Sequence, residues 1–207
     1  MTDQLRASTA SDGAWHEFLT RPAVHVDAAR LSACFDGRID EVVCRTMLTT
    51  PRLIERLSNV LERYYSLGAD SDLDACDQVD RGVALATGET LAGIARRSGA
   101  VYWATGLASV VLTRDVETLY AALGEDVCTY ALACRDLSEQ DHRLPPIEET
   151  AATIIADGWR CLWGWSERLP PAIAKRVRLK FPDIVEPTIK RGYEIVRRAG
   201  AIDVAAG

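Results

Sequence analysis

The chain has 207 residues, of which 48% are hydrophobic, 26% charged and 7% aromatic, and its formal net charge is −6. Such a composition buries a core, which excludes a disordered chain, a collagen-like repeat and a disulfide-stapled miniprotein. The acidic balance argues against a protein that coats nucleic acid, since that binding needs an excess of Lys and Arg, and no run of about 18 apolar residues is present to span a membrane.

Residues 1–15 carry an early acid, Asp3, and lack the apolar core of a signal peptide. A flexible leader through residue 13 and a cytoplasmic protein are therefore expected. Residues 40–48 predict a short helix with Val43, Met47 and Leu48 on one side. After Pro51, the residues Leu53, Leu57, Val60, Leu61 and Tyr64 recur at three- and four-residue steps, with Arg52, Glu55, Arg56, Glu62 and Arg63 between them. This predicts an amphipathic helix that Pro51 starts and Gly68 stops. The acidic run that follows places Asp70, Asp72 and Asp74 at the spacing of the first three ligands of an EF-hand loop. Ala75 stands where that loop needs Gly, and Arg81 where it needs Glu, so a solvated acidic loop including Asp77 is expected instead of a calcium site.

Residues 79–134 are rich in Ala, Leu, Val and Gly and predict buried helices broken at Gly88 and Gly99. Thr113 is expected to cap a helix through Leu119 and Leu123 that ends at Gly124, and the next helix runs from Glu125 to Cys134. Beyond Pro145-Pro146 a longer helix is expected to about residue 168. Its Trp159 and Trp163 lie one turn apart and are expected in the core. Trp165 points some 200° away from Trp163, into a second contact or toward a partner. Pro170-Pro171 and Pro182 bracket a short basic helix with Lys175, Arg176, Arg178 and Lys180, and Pro187 is expected to start a last one. The prediction is an all-α fold of roughly eight to ten short-to-medium helices in a single irregular domain. That domain spans residues 14–200, with sub-boundaries near 68–78 and 143–146 and a loose tail from 201.

Charge is segregated along the chain: residues 151–207 hold 10 Lys and Arg against 6 Asp and Glu, whereas the first 150 hold 14 against 24. The six cysteines (Cys34, Cys44, Cys76, Cys128, Cys134, Cys161) include no C-x-x-C, and the three histidines are His16, His25 and His142. Spaced in this way they offer no tetrahedral zinc site, and in a reducing compartment they are expected as buried thiols. No nucleophile elbow, phosphate loop, dinucleotide fingerprint or zinc-protease helix occurs in the sequence. No catalytic residue, metal or cofactor is expected.

The stretch Phe18-Leu19-Thr20-Arg21-Pro22-Ala23-Val24-His25 resembles the N-terminal signature of the SctK family, which includes YscK and PscK. The family pattern is a Pro-Ala pair followed by an aromatic residue, a His and a Leu. Pro22, Ala23 and Leu31 stand at the first and last of these, while His25 and Asp27 occupy the aromatic and His positions. Residues 84–91 (ALATGETL) resemble the family's Leu-rich segment ahead of a Gly-Glu helix start. Residues 147–149 with Gly158-Trp159, and residues 175–182 (KRVRLKFP), resemble its C-terminal pattern.

The resemblance implies a non-enzymatic accessory protein of a bacterial type III secretion system, without a cofactor. In that family the protein sits in the sorting platform at the cytoplasmic face of the inner membrane. It joins the cytoplasmic domain of the ring protein SctD to the SctQ pods, and through them to SctL and SctN. The interface candidates are Arg21, Pro22 and His25 of the signature, the acidic loop (Asp70, Asp72, Asp74, Asp77), Trp165, and the basic segment (Lys175, Arg176, Arg178, Lys180). Neither nucleic acid nor direct membrane insertion is implied. Three other readings are a helical enzyme with a site of scattered Cys, His and Asp residues, a DNA-associated regulator using the basic C-terminal helices, and an unrelated helical interaction protein.

Overall fold

The computed structural model describes residues 12–68, 76–139, 144–182 and 188–206, with side chains described as far as residue 201. It is 74% helical, and no strand occurs among the described residues, so the fold is all-α. The helices are α1 (residues 12–20), α2 (Ala28–Ala33), α3 (Glu41–Leu48), α4 (Pro51–Tyr65), α5 (Gln78–Leu85) and α6 (Gly88–Tyr102). They continue as α7 (Ala104–Leu107), α8 (Thr113–Leu123), α9 (Glu125–Ala133), α10 (Ile147–Ser166), α11 (Pro171–Arg178) and α12 (Gly192–Ala206). The chain falls into two compact units, Met1–Gly88 with Leu169–Asp183 and Glu89–Arg168 with Ile184–Gly207.

In the first unit the helix starts are written locally. Asp27, Asp40 and Asp77 each take the position before a helix, and their carboxylates accept from the N–H groups of Ala29 (2.8 Å), Val43 (2.8 Å) and Asp80 (3.0 Å). These bonds satisfy donors that the helix itself leaves unpaired. Pro51 opens α4, and Ser66 ends it in the left-handed conformation at φ 49°. A short 3-10 turn, Pro22–Val24, packs on α4, with the Ala23 N–H donating to Ser58 Oγ. The core gathers Leu31, Cys44, Leu57, Leu61, Leu67 and Leu179.

Two side chains differ from expectation here. Val43 is 47% exposed and Tyr64 51% exposed, whereas Cys44, Ile54 and Ser58 are buried. α3 touches the core along Cys44, Met47 and Leu48, so its buried stripe lies one position away from Val43. On α4 the buried stripe is Ile54, Leu57, Ser58 and Leu61, with Tyr64 beyond its edge, and the neighbouring Tyr65 hydroxyl donates to the Arg30 carbonyl at 2.8 Å.

In the second unit α10 packs on α8 and α12. At Gly99 a Cβ would run into the carbonyl of Ile154, and at Gly158 into the carbonyl of Ala95, so α6 and α10 touch backbone to backbone. Gly99 therefore lies inside α6 and does not break it. Gly192 and Gly164 play the same part, against Cys161 and Ile189. The expected roles of the tryptophans are reversed: Trp165 is 0% exposed, while Trp159 and Trp163 are half-buried. The buried face of α10 runs through Ile154, Gly158, Cys161 and Trp165. A count of large apolar side chains misses it because Gly158 marks that face with no side chain.

Three element ends also differ from expectation. Thr113 is the first residue of α8 and makes no side-chain cap, since Leu112 precedes the helix. The last helix begins at Gly192, and its backbone stays helical to Ala206 in place of a loose tail. Pro187 lies outside the described residues.

Candidate functional site

Cations of residues 175–180 and the C-terminal ends of three helices organise the candidate site, which lies within the first unit. α11 starts at Pro171 and carries Arg176, and Lys180 follows in the turn just past its end at Arg178. Both side chains are buried rather than solvated. The Arg176 guanidinium donates to the carbonyls of Leu19 (2.9 Å), Leu67 (3.0 Å), Gly68 (3.0 Å) and Ala172 (3.1 Å). Lys180 Nζ donates to the carbonyls of Ala84 (2.7 Å) and Ala86 (3.1 Å), and Lys175 Nζ to that of Ser66 (2.7 Å). Ala172 in the first turn of α11 apart, the acceptors sit at the C-terminal ends of α1, α4 and α5. There, unpaired carbonyls and the helix dipole favour positive charge.

The second half of the site is aromatic. Phe18, on α1, stacks on Trp15 with ring centroids 5.3 Å apart and lies 5.9 Å from the His25 ring. Lys180 Nζ stands 5.0 Å from the Phe18 centroid, a cation–π contact. Beside them a cleft of about 280 Å³ is lined by Val24, His25, Val26, Asp27, Ala86, Thr87, Gly88 and Lys180. Burial lowers the Lys180 pKa from 10.5 to about 8. Burial, then the neighbouring Lys180 charge, lowers that of His25 from 6.5 to about 4, partly offset by Glu17. His25 is therefore neutral near pH 7, and its Nε2 is buried without a hydrogen-bond partner.

The other candidates are distributed as follows. Arg21 is exposed and pairs with Glu17 at 2.9 Å, and Pro22 is buried at the start of the 3-10 turn. Asp77 is the cap of α5, and Asp70, Asp72 and Asp74 lie outside the described residues. Arg178 is half-buried and Lys175 exposed. The expected basic surface is thus reduced, because Arg176 and Lys180 turn inward to helix ends. Trp165 is excluded as a contact with a partner, because it is wholly buried in the second unit. Sequence reasoning left Thr87 and Gly88 without a role in the site. No local pattern marks them, since what places them there is the Lys180 contact to Ala84 and Ala86.

Burial pushes the thiol of Cys34 up to about 11 and raises those of Cys44, Cys128 and Cys161. These four are protonated at neutral pH and poor nucleophiles. Among the described residues no group of three or more His, Cys, Asp or Glu is placed to hold a metal ion. No helix among them is long and apolar enough to cross a membrane. No family model, no curated protein and no solved structure matches the chain.

Proposed function

We propose that the chain is a non-enzymatic helical adaptor of the SctK kind, working at the cytoplasmic face of a bacterial inner membrane in a type III secretion system. It joins an SctD-like ring protein to SctQ-like pods, and through these to SctL- and SctN-like components. One observation carries the reading. Of the four stretches that resemble the family, residues 18–25, 175–182 and the part of 84–91 up to Gly88 meet in the first unit through Phe18, His25, Ala84, Ala86 and Lys180, while residues 147–149 with Gly158-Trp159 belong to the second. Segments singled out only by likeness have no reason to pack together, and their convergence supports treating them as one feature. The exposed rim of that feature, Val24, Asp27 and Thr87, supplies the contact surface, with Val24 41% exposed.

The test is co-purification of the tagged full chain with an SctD-like cytoplasmic domain and with an SctQ-like subunit, at low and at physiological salt. Retention of either partner, weakened by Val24→Asp, is the expected result. Retention of neither at either salt concentration overturns the reading.

A further inference from the structure

We propose that the cleft in the first unit is an oxyanion site that takes a carboxylate or phosphate group between Lys180 Nζ and His25 Nε2. Lys180 is 6% exposed. Its ammonium has three N–H donors, and two of them reach the carbonyls of Ala84 and Ala86. Carbonyl dipoles satisfy hydrogen bonds without supplying a full negative charge. Among the described residues no carboxylate lies within ion-pair distance of Lys180. The cleft therefore holds a buried cation whose third N–H has no hydrogen-bond acceptor, with the Phe18 ring 5.0 Å from Nζ, beside a buried ring nitrogen that has no partner. Buried polar atoms in this state cost stability unless something bonds to them.

The surroundings favour an anion over a cation. Lys180 repels cations. Two carboxylates lie near the pair and are bonded away from it: Asp27, which lines the cleft and still carries its negative charge, accepts from the Ala29 N–H, and Glu17 pairs with Arg21. A volume of about 280 Å³ admits a carboxylate or a phosphate with a few attached atoms and is small for a nucleotide. The group can be a free small anion or an acidic side chain of a partner protein. The inference rests on the cleft and not on the adaptor reading.

The test follows the His25 ring resonance of the full chain by NMR, assigned with His25→Leu. Inorganic phosphate, acetate and a blocked peptide, acetyl-Ala-Glu-Glu-Ala-amide, are titrated separately at constant ionic strength. The expected result is a saturable shift with an apparent His25 pKa raised above about 4, and binding roughly tenfold weaker in Lys180→Met, as for loss of a charge-assisted hydrogen bond. Saturation by phosphate or acetate identifies a free anion as the source, and saturation by the peptide alone identifies a partner's side chain. Should Lys180→Met not fold, calorimetric titration of His25→Leu gives the same comparison. No saturation by any probe, or undiminished affinity in the variants, overturns the proposal and leaves co-purification with ring and pod proteins to be judged separately.

Discussion

Arg176 and Leu67 lie 109 positions apart in the chain, yet the guanidinium Nη1 of one donates to the carbonyl of the other at 3.0 Å in the interior of the first unit. The same side chain holds Leu19, Gly68 and Ala172, so one planar fork ties α11 to the ends of α1 and α4. Arg176→Lys keeps the charge but cannot present this fork. Arg176→Met leaves several buried carbonyls unpaired and is expected to cost about 3 kcal/mol or more. Urea denaturation of both variants measures this, and a midpoint equal to wild type in Arg176→Met contradicts the capping role.

A second bond of this kind lies in the other unit. Trp103 Nε1–H donates to Asp157 Oδ2 at 2.8 Å, and Arg160 Nη1 reaches Asp157 Oδ1 at 2.6 Å. Asp157 and Trp103 are both buried. Asp157→Ala leaves the indole N–H without this acceptor and is expected to lower stability by about 1–3 kcal/mol. The readout is a shifted denaturation midpoint with an altered near-UV signal from Trp103.

The glycines give a contrast within one helix. Gly99→Ala and Gly158→Ala would each drive a methyl group into a neighbouring backbone carbonyl, and each is expected to destabilise by about 1–3 kcal/mol. Gly93, in the same helix as Gly99, has nothing within 4 Å of a Cβ. Gly93→Ala is expected to stabilise by about 0.5–1 kcal/mol through helix propensity alone. Thermal melts of the three variants decide it, and a like sign for Gly93 and Gly99 contradicts the close crossing.

His25 and Lys180 set a pH dependence. Each has a lower pKa in the folded chain than in the unfolded one, so the unfolded state binds more protons between the two values. For His25, stability is fully present above about pH 6.5 and declines as the pH falls toward about 4. For Lys180, stability rises as the pH climbs from about 8 toward 10.5. The groups facing this pair are Glu17 and Asp27. Denaturation midpoints across pH 4–7 are expected to slope less in His25→Leu than in wild type, and an identical slope contradicts the burial of the ring.

The tryptophans of α10 show where periodicity misleads. Trp165→Ala removes a fully buried ring and is expected to cost about 3–5 kcal/mol, against a smaller loss for the half-buried Trp163. A hydrophobic count puts the helix face at Trp159 and Trp163, because their size dominates it. The true face passes through Gly158, where α6 comes close enough to exclude any side chain, and Cys161, whose carbonyl meets Gly192 of α12. Denaturation of Trp163→Ala beside Trp165→Ala measures the order.

What the sequence determined by itself is what depends on neighbours within one helical turn. The all-α class, the starts of α3 and α4 at Asp40 and Pro51 and the end of α8 at Gly124 follow from capping, proline geometry and three-to-four-residue spacing. The tertiary structure alone decided where the charges of residues 175–180 go. A run of Lys and Arg reads as a solvated surface, because its acceptors are not local: the carbonyls that take Arg176 and Lys180 are mainly supplied from 94 to 157 positions earlier in the chain. The C-terminal ends of helices carry partial negative charge whatever their sequence. Which cation finds which end is settled only when the helices pack, and that packing also brings His25, Gly88 and Lys180 around one cleft.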